Sequence, residues 1–201
     1  MPENKIEEII GRLNSLQREL EGEIDRLLSE KRELFQYTLQ RGRVRFERGM
    51  RTLQRSYRTG LWRYLREAKL RHVLTAPLIY ALIIPVSLMD LLVTLYQQVC
   101  FRVYDVPLVR RSEYLAIDRH QLAYLNVIEK FNCFYCSYAN GVIAYSREVG
   151  ARTEQFWCPI KHARRTRDAH GRTERFLDYG DAEAYRRRAQ ALREDWSDIR
   201  N

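Results

Sequence analysis

Cys133, Cys136, Cys158 and His162 are the residues whose types and spacing most directly point to chemistry. Two residues separate the first pair, 21 lie between Cys136 and Cys158, and three separate Cys158 from His162. A Cys-x2-Cys pair can present both sulfurs to one ion, and a second pair from a distant segment can complete a tetrahedron. Thiolates with imidazole suit zinc, and three cysteines with one histidine can also hold an iron–sulfur cluster. Two other readings compete. The cysteines can be small buried hydrophobes, or Cys133 and Cys136 can form a redox dithiol. The dithiol leaves Cys158 and His162 without a role. Cys100, at the end of an apolar stretch, reads as packing.

The surrounding segment 118–162 is dense in ionisable groups. Glu129, Glu148 and Glu154 are candidates for a general base, with His120 as acid or further ligand. Ordinary salt bridging explains the same residues, above all Glu148 with Arg152 at a spacing of four. No phosphate-binding loop, dinucleotide fingerprint, nucleophile elbow or zinc-protease helix is present. The paired ligands resemble those of zinc-ribbon and zinc-knuckle proteins in spacing alone. The glycine usual there after the second cysteine is Ser137 in this chain.

The elements that must position these residues read as helices. Glycine and proline are scarce, at 9 and 5 of 201 residues, which favours a mainly α chain. Asp118 and Gln121 fit a capping box for a helix carrying Leu122, Leu125, Ile128 and Phe131 and ending near Asn132. Asn140-Gly141 fits a turn, with a second helix over about 142–156. Pro159 would open a third helix that places Cys158 and His162 on one face. On this reading the metal staples two helix ends within a domain over 102–170, followed by a charged C-terminal helix over 171–201. Arg164, Arg165 and Arg167 follow the ligands. Asp181 can cap that last helix, with Tyr185, Ala189, Leu192 and Trp196 on one docking face.

The N-terminal half reads as a coiled-coil-like helix followed by a basic one, over 1–72. Ile6, Ile9, Leu13, Leu16, Leu20, Leu27, Leu34 and Tyr37 recur in steps of three and four, or of seven. Such a seam needs a partner: segment 43–70 of the same chain, or a second copy through residues 6–37. Gly42 interrupts the pattern. A basic amphipathic helix with Phe46, Met50, Leu53, Tyr57, Leu61, Tyr64 and Ala68 on its apolar side follows. Residues 41–72 hold 11 basic and 2 acidic groups. Their net +9 equals that of the whole chain.

The next stretch, 73–101, is the most apolar. From Val73 to Leu95 only Asp90 is strongly polar. Twenty-three residues at about 1.5 Å each can cross a hydrocarbon core of about 30 Å. Pro85 lies near its centre and removes a backbone hydrogen bond. Basic residues flank both ends, so a re-entrant helix–break–helix is preferred to a single span. Arg55, Arg58, Arg63, Arg66, Lys69 and Arg71 would meet anionic headgroups. The expected function is a membrane-associated metal-binding adaptor or assembly module, with a structural zinc site and its soluble parts facing the cytoplasm. A membrane-bound redox protein or enzyme is the alternative, and a nucleic-acid binder ranks last.

Overall fold

The computed structural model describes residues 2–40, 43–164, 166–167 and 169–199. It is mainly helical and divides into two compact units. One comprises residues 1–60 with 121–126, and the other 61–120 with 127–201.

In the first unit, α1 runs from Pro2 to Leu34 as one helix. Its apolar seam faces outward: Ile9, Leu13, Leu16, Leu20, Leu27 and Leu34 are all exposed. The seam residue Ile6 lies outside the described side chains, and Gly42 outside the described residues. The continuous basic helix expected from Phe46 to Ala68 is corrected. A short hairpin, β1 (Tyr37–Gln40) and β2 (Arg43–Phe46), comes first. Tyr37 pairs with Phe46 across it, their rings 5.6 Å apart. Val44 and Phe46 suit a pleated ribbon, and such cross-strand aromatic pairs stabilise one. Helix α2 then covers Arg48–Ser56. Gln121 accepts from the Val44 amide and Gln54 from the Ala123 amide, tying 121–126 into this unit.

In the second unit, α3 (Leu61–Glu67) leads into α4 (Leu70–Ala81) and α5 (Ile83–Tyr96). A π-helical turn, Gln97–Phe101, finishes the run. From Leu70 to Phe101 this path is long and apolar enough, by length and composition, to cross a membrane. A one-residue turn at Leu82 separates α4 from α5. Pro85 sits in the first turn of α5, where its missing N–H costs least. The expected reversal at Pro85 does not occur, because both helices follow one neighbour in the same direction.

That neighbour is α6, Val127–Trp157, a single helix of 31 residues. The Tyr80 hydroxyl donates to Asn132 Oδ1 at 2.6 Å, and the Tyr135 hydroxyl to the Ile79 carbonyl at 2.6 Å. Further along, Tyr138 donates to Asp90 at 3.0 Å, and Gln97 Nε2 to the Tyr145 hydroxyl at 2.6 Å. Tyr96 and Thr153 share a bond of 3.1 Å. Partner numbers rise together, so α6 runs parallel to α4–α5. The connector between them folds back over their junction. Gln97 bonds both the N–H and the carbonyl of Val109, and Arg111 grips both oxygens of Asp90 at 2.9 and 2.6 Å. Phe101, Val106, Val109, Tyr145, Val149 and Trp196 form the core there.

Two expected breaks are therefore absent from α6. The helix neither ends near Asn132 nor turns at Asn140-Gly141. The Asn140 side chain donates to the Cys136 carbonyl one turn back, at 2.9 Å. Gly141 serves packing: a Cβ there would lie 2.9 Å from both Leu115 Cγ and the Tyr114 carbonyl oxygen. The expected helix start at Asp118 is reduced to a 3-10 turn, Arg119–Gln121. Helix α7 covers Ala182–Glu194, with the Asp181 carboxylate accepting from the Ala184 amide at 2.8 Å. Ala189 and Trp196 are buried, and Gln155 of α6 donates to the Leu192 and Asp195 carbonyls. The face from Tyr185 to Trp196 thus docks on the body.

Candidate functional site: a polar pocket at the end of the long helix

The continuity of α6 decides the fate of the cysteine pairs. Cys133 and Cys136 lie near its beginning, whereas Cys158 follows its last residue. The 22 residues from Cys136 to Cys158 correspond to about 33 Å of helix. Sulfurs sharing a zinc ion sit about 2.3 Å from it. One ion held by all four expected ligands does not fit this arrangement. Among the described residues, no group of three or more His, Cys, Asp or Glu is placed to hold a metal. Helix α6 brings Cys133 and Cys136 within one turn of each other, the first half-buried and the second exposed. Pro159 opens no helix. Ile160 instead forms a parallel bridge to Leu177.

That bridge closes a loop. The Leu177 amide donates to the Pro159 carbonyl at 2.9 Å, and the Lys161 amide to the Leu177 carbonyl at 2.8 Å. Lys161 also pairs with Asp178 at 2.8 Å. The segment between returns over the end of α6, and its sequence is rich in cationic side chains, with hydroxyls at Thr166 and Thr173. On α6 itself the spacing sorts the polar residues by face. Glu148, Arg152 and Gln155, at steps of four and three, turn inward; Arg147 and Glu154, seven apart, face the loop.

The inward set is structural. Glu148 accepts from Arg152 at 2.8 Å and from Arg172 at 3.3 Å. Arg172, with 7% of its side chain exposed, also donates to Gln155 at 2.8 Å, pairs with Asp198 at 3.2 Å, and lies 5.4 Å over the Trp196 ring. Arg152 donates onward to the Pro107 carbonyl at 2.8 Å. Arg175 joins Asp195 and Asp198. Hydrogen bonds from the Ser197 hydroxyl and amide, reinforced by Arg175, hold the Asp195 carboxyl below the usual carboxylate range. Burial pushes the Tyr114 phenol upward, and the nearby Glu148 charge adds to this.

The outward set lines a cavity of ≈ 270 Å³ with Arg147, Glu154, His162, Thr166, Arg167, Ala169, His170 and Thr173. Glu154 is its centre. One carboxylate oxygen meets His170 Nε2 at 2.6 Å, and the other lies 3.9 Å from His162 Nε2. The Thr173 hydroxyl sits 3.3 Å from His170 Nδ1. The His170 ring packs edge-on against Phe176, and its side chain is 19% exposed. No family model, characterised protein or solved structure matches this chain. A carboxylate bonded to an imidazole, beside two guanidinium groups, can orient the histidine tautomer, and the imidazole can then exchange a proton with a bound ligand.

The other expected site residues lie elsewhere. Glu129 stands in the first turn of α6, and His120 is exposed in the 3-10 turn of the connector. Arg55 and Arg58 are exposed in the first unit, and Arg63, Arg66, Lys69 and Arg71 in the second. Arg165 lies outside the described residues. Sequence reasoning missed His170 and Arg172, which sit in a charge-rich tail whose composition reads as a solvated surface. It also missed Gln97, Arg111 and Tyr138, whose pairing with residues roughly 12 to 50 positions away leaves no local signal.

Proposed function

We propose that this chain is a membrane-anchored helical protein, with α4–α5 as the anchor. The observation that carries this is exposure of an apolar helical face: Leu74, Leu78, Ile84, Leu88, Leu91, Leu95 and Val99 are each more than half exposed. Meanwhile the polar Asp90 and Gln97 on the opposite face are buried and bonded. An apolar surface of this extent marks a membrane or partner site. The basic residues at both ends favour the cytoplasmic leaflet. The chain should sediment with membranes and resist extraction by alkaline carbonate and high salt. Recovery as a monodisperse protein without detergent would refute the reading.

The Glu154 pocket supports a second reading, a site for a small ligand carrying an acidic group, with His170 as the acid–base group. Adding inorganic phosphate should shift the His162 and His170 imidazole signals in NMR spectra, and Glu154→Gln should alter that response. Unmoved imidazole signals would count against it. The exposed seam of α1 supports self-association through residues 6–37 as the adaptor element.

A further inference from the structure

The parallel course of α6 bears on how the anchor meets the bilayer. Asn132 is level with Tyr80, four residues from the centre of the apolar run Val73–Leu95. Helix α6 begins at Val127, about 7.5 Å before Asn132. Its first turn carries Glu129 and Lys130. The chain leaves the apolar helix at Phe101 and must reach that level again through residues 102–126. Past the last helical residues, Arg102 and Val103, that connector holds two three-residue 3-10 turns and otherwise irregular backbone. Among its residues are Arg102, Asp105, Arg110, Arg111, Glu113, Asp118 and Arg119.

If α4–α5 crossed the bilayer, this irregular charged segment would recross most of the hydrocarbon beside it. Lipid-exposed irregular backbone does not persist at that depth, and charged side chains there are costly. We infer that α4–α5 lies along a single leaflet of an anionic phospholipid membrane, its outer face among acyl chains and its inner face against α6 and the connector. This rests on the membrane attachment proposed above.

The distribution of side chains fits that placement. The inner stripe holds the hydrogen-bonding residues Tyr80, Asp90, Thr94 and Gln97. Exposed aliphatic residues recur from Leu70 to Val99 along a 32-residue apolar run, with Arg71, His72, Thr75 and Ser87 the exposed polar residues among them; the run is about 48 Å long. Both ends carry exposed basic residues. Helix α3 presents Trp62, 85% exposed, beside Arg63 and Arg66. Lys69 and Arg71 follow, and Arg102 and Arg110 stand exposed at the far end. Tryptophan with arginine is suited to the interface, and each basic residue near an anionic surface adds attraction.

The test uses the full chain with its four cysteines replaced, carrying either Glu67→Cys or Val103→Cys at exposed positions on either side of the anchor. Each variant is added to preformed vesicles of phosphatidylcholine with phosphatidylserine and recovered by flotation. A membrane-impermeant maleimide, added outside, should label both positions to the same extent, with no increase after detergent lysis. Labelling of one position only after lysis would show a span and overturn the inference while leaving membrane attachment intact. Failure of both to float, with circular dichroism unchanged from the parent chain, would overturn attachment itself. Leu88→Asp, on the outer stripe and away from the core, should reduce flotation at least tenfold with the helical spectrum unchanged. Flotation of Leu88→Asp equal to the parent's would also overturn the inference. So would equal recovery of the parent on phosphatidylcholine alone.

Discussion

Replacing Gly141 with alanine probes the contact between the connector and α6. In an isolated helix the change is favourable, because alanine exceeds glycine by about 1 kcal/mol in helix propensity. Here the new methyl would lie 2.9 Å from the Tyr114 carbonyl oxygen and 3.1 Å from Leu115 Cα. Both are backbone atoms, so rotamer adjustment cannot relieve them. The connector must move, and Tyr114, whose ring neighbours Tyr145 at 6.5 Å, moves with it. Overpacking of this kind costs about 1–3 kcal/mol. The net expectation is a loss of up to about 2 kcal/mol, or as much as roughly 8 °C in Tm for a chain of this size. Gly150 is the internal control. It lies in the same helix, and a methyl added there would meet nothing within 4 Å, so Gly150→Ala should stabilise by about 0.5–1 kcal/mol. Thermal melts followed by far-ultraviolet circular dichroism in one detergent compare the three proteins. A Gly141→Ala variant stabilised as much as Gly150→Ala would refute the close approach of Leu115 to α6.

Arg172→Ala removes one member of a buried charged network and should cost about 3 kcal/mol, read as a lower urea midpoint. Dyes on Cys136 and Cys158, with Cys100 and Cys133 replaced, should report a separation near 33 Å by energy transfer; a few ångströms would restore the shared metal site. Asp195 titrates below its unfolded value because Ser197 and Arg175 bond its charged form. The stability this adds is present above the ordinary carboxylate range, about pH 4, and is lost as pH falls through the folded value. The urea midpoints of the parent and Ser197→Ala should therefore differ at pH 7 and converge in acid. Leu13→Glu with Leu20→Glu should lower the mass measured by light scattering if α1 self-associates; an unchanged mass would remove that role.

Much of the helical content was legible because it is written locally. The apolar run, the Glu148–Arg152 pair and the Asp181 cap each depend on neighbours within four residues or on an uninterrupted composition. The cysteine cluster misled for a related reason. Cysteines three apart on a continuous helix and a Cys-x2-Cys ligand knuckle have the same spacing, and only helix length separates them. Asn140-Gly141 likewise reads as a turn until Leu115, 26 residues earlier, is found to require the missing side chain. The Glu154 pocket was half visible. Glu154 and His162 stood out as ionisable groups, but His170 joins them only because a bridge between Ile160 and Leu177 folds the loop back.

The parallel pairing of α5 with α6 also has a consequence for biogenesis. Gln97 finds Tyr145 48 positions later in the chain. At about 5–20 residues per second of synthesis, the anchor leaves the ribosome roughly 2–10 s before the partner of its polar stripe exists. Until then its aliphatic surface stands without α6, although Arg111, the partner of Asp90, follows after 21 residues. If α4–α5 is the membrane anchor proposed above, it is available for insertion before α6 can dock on it.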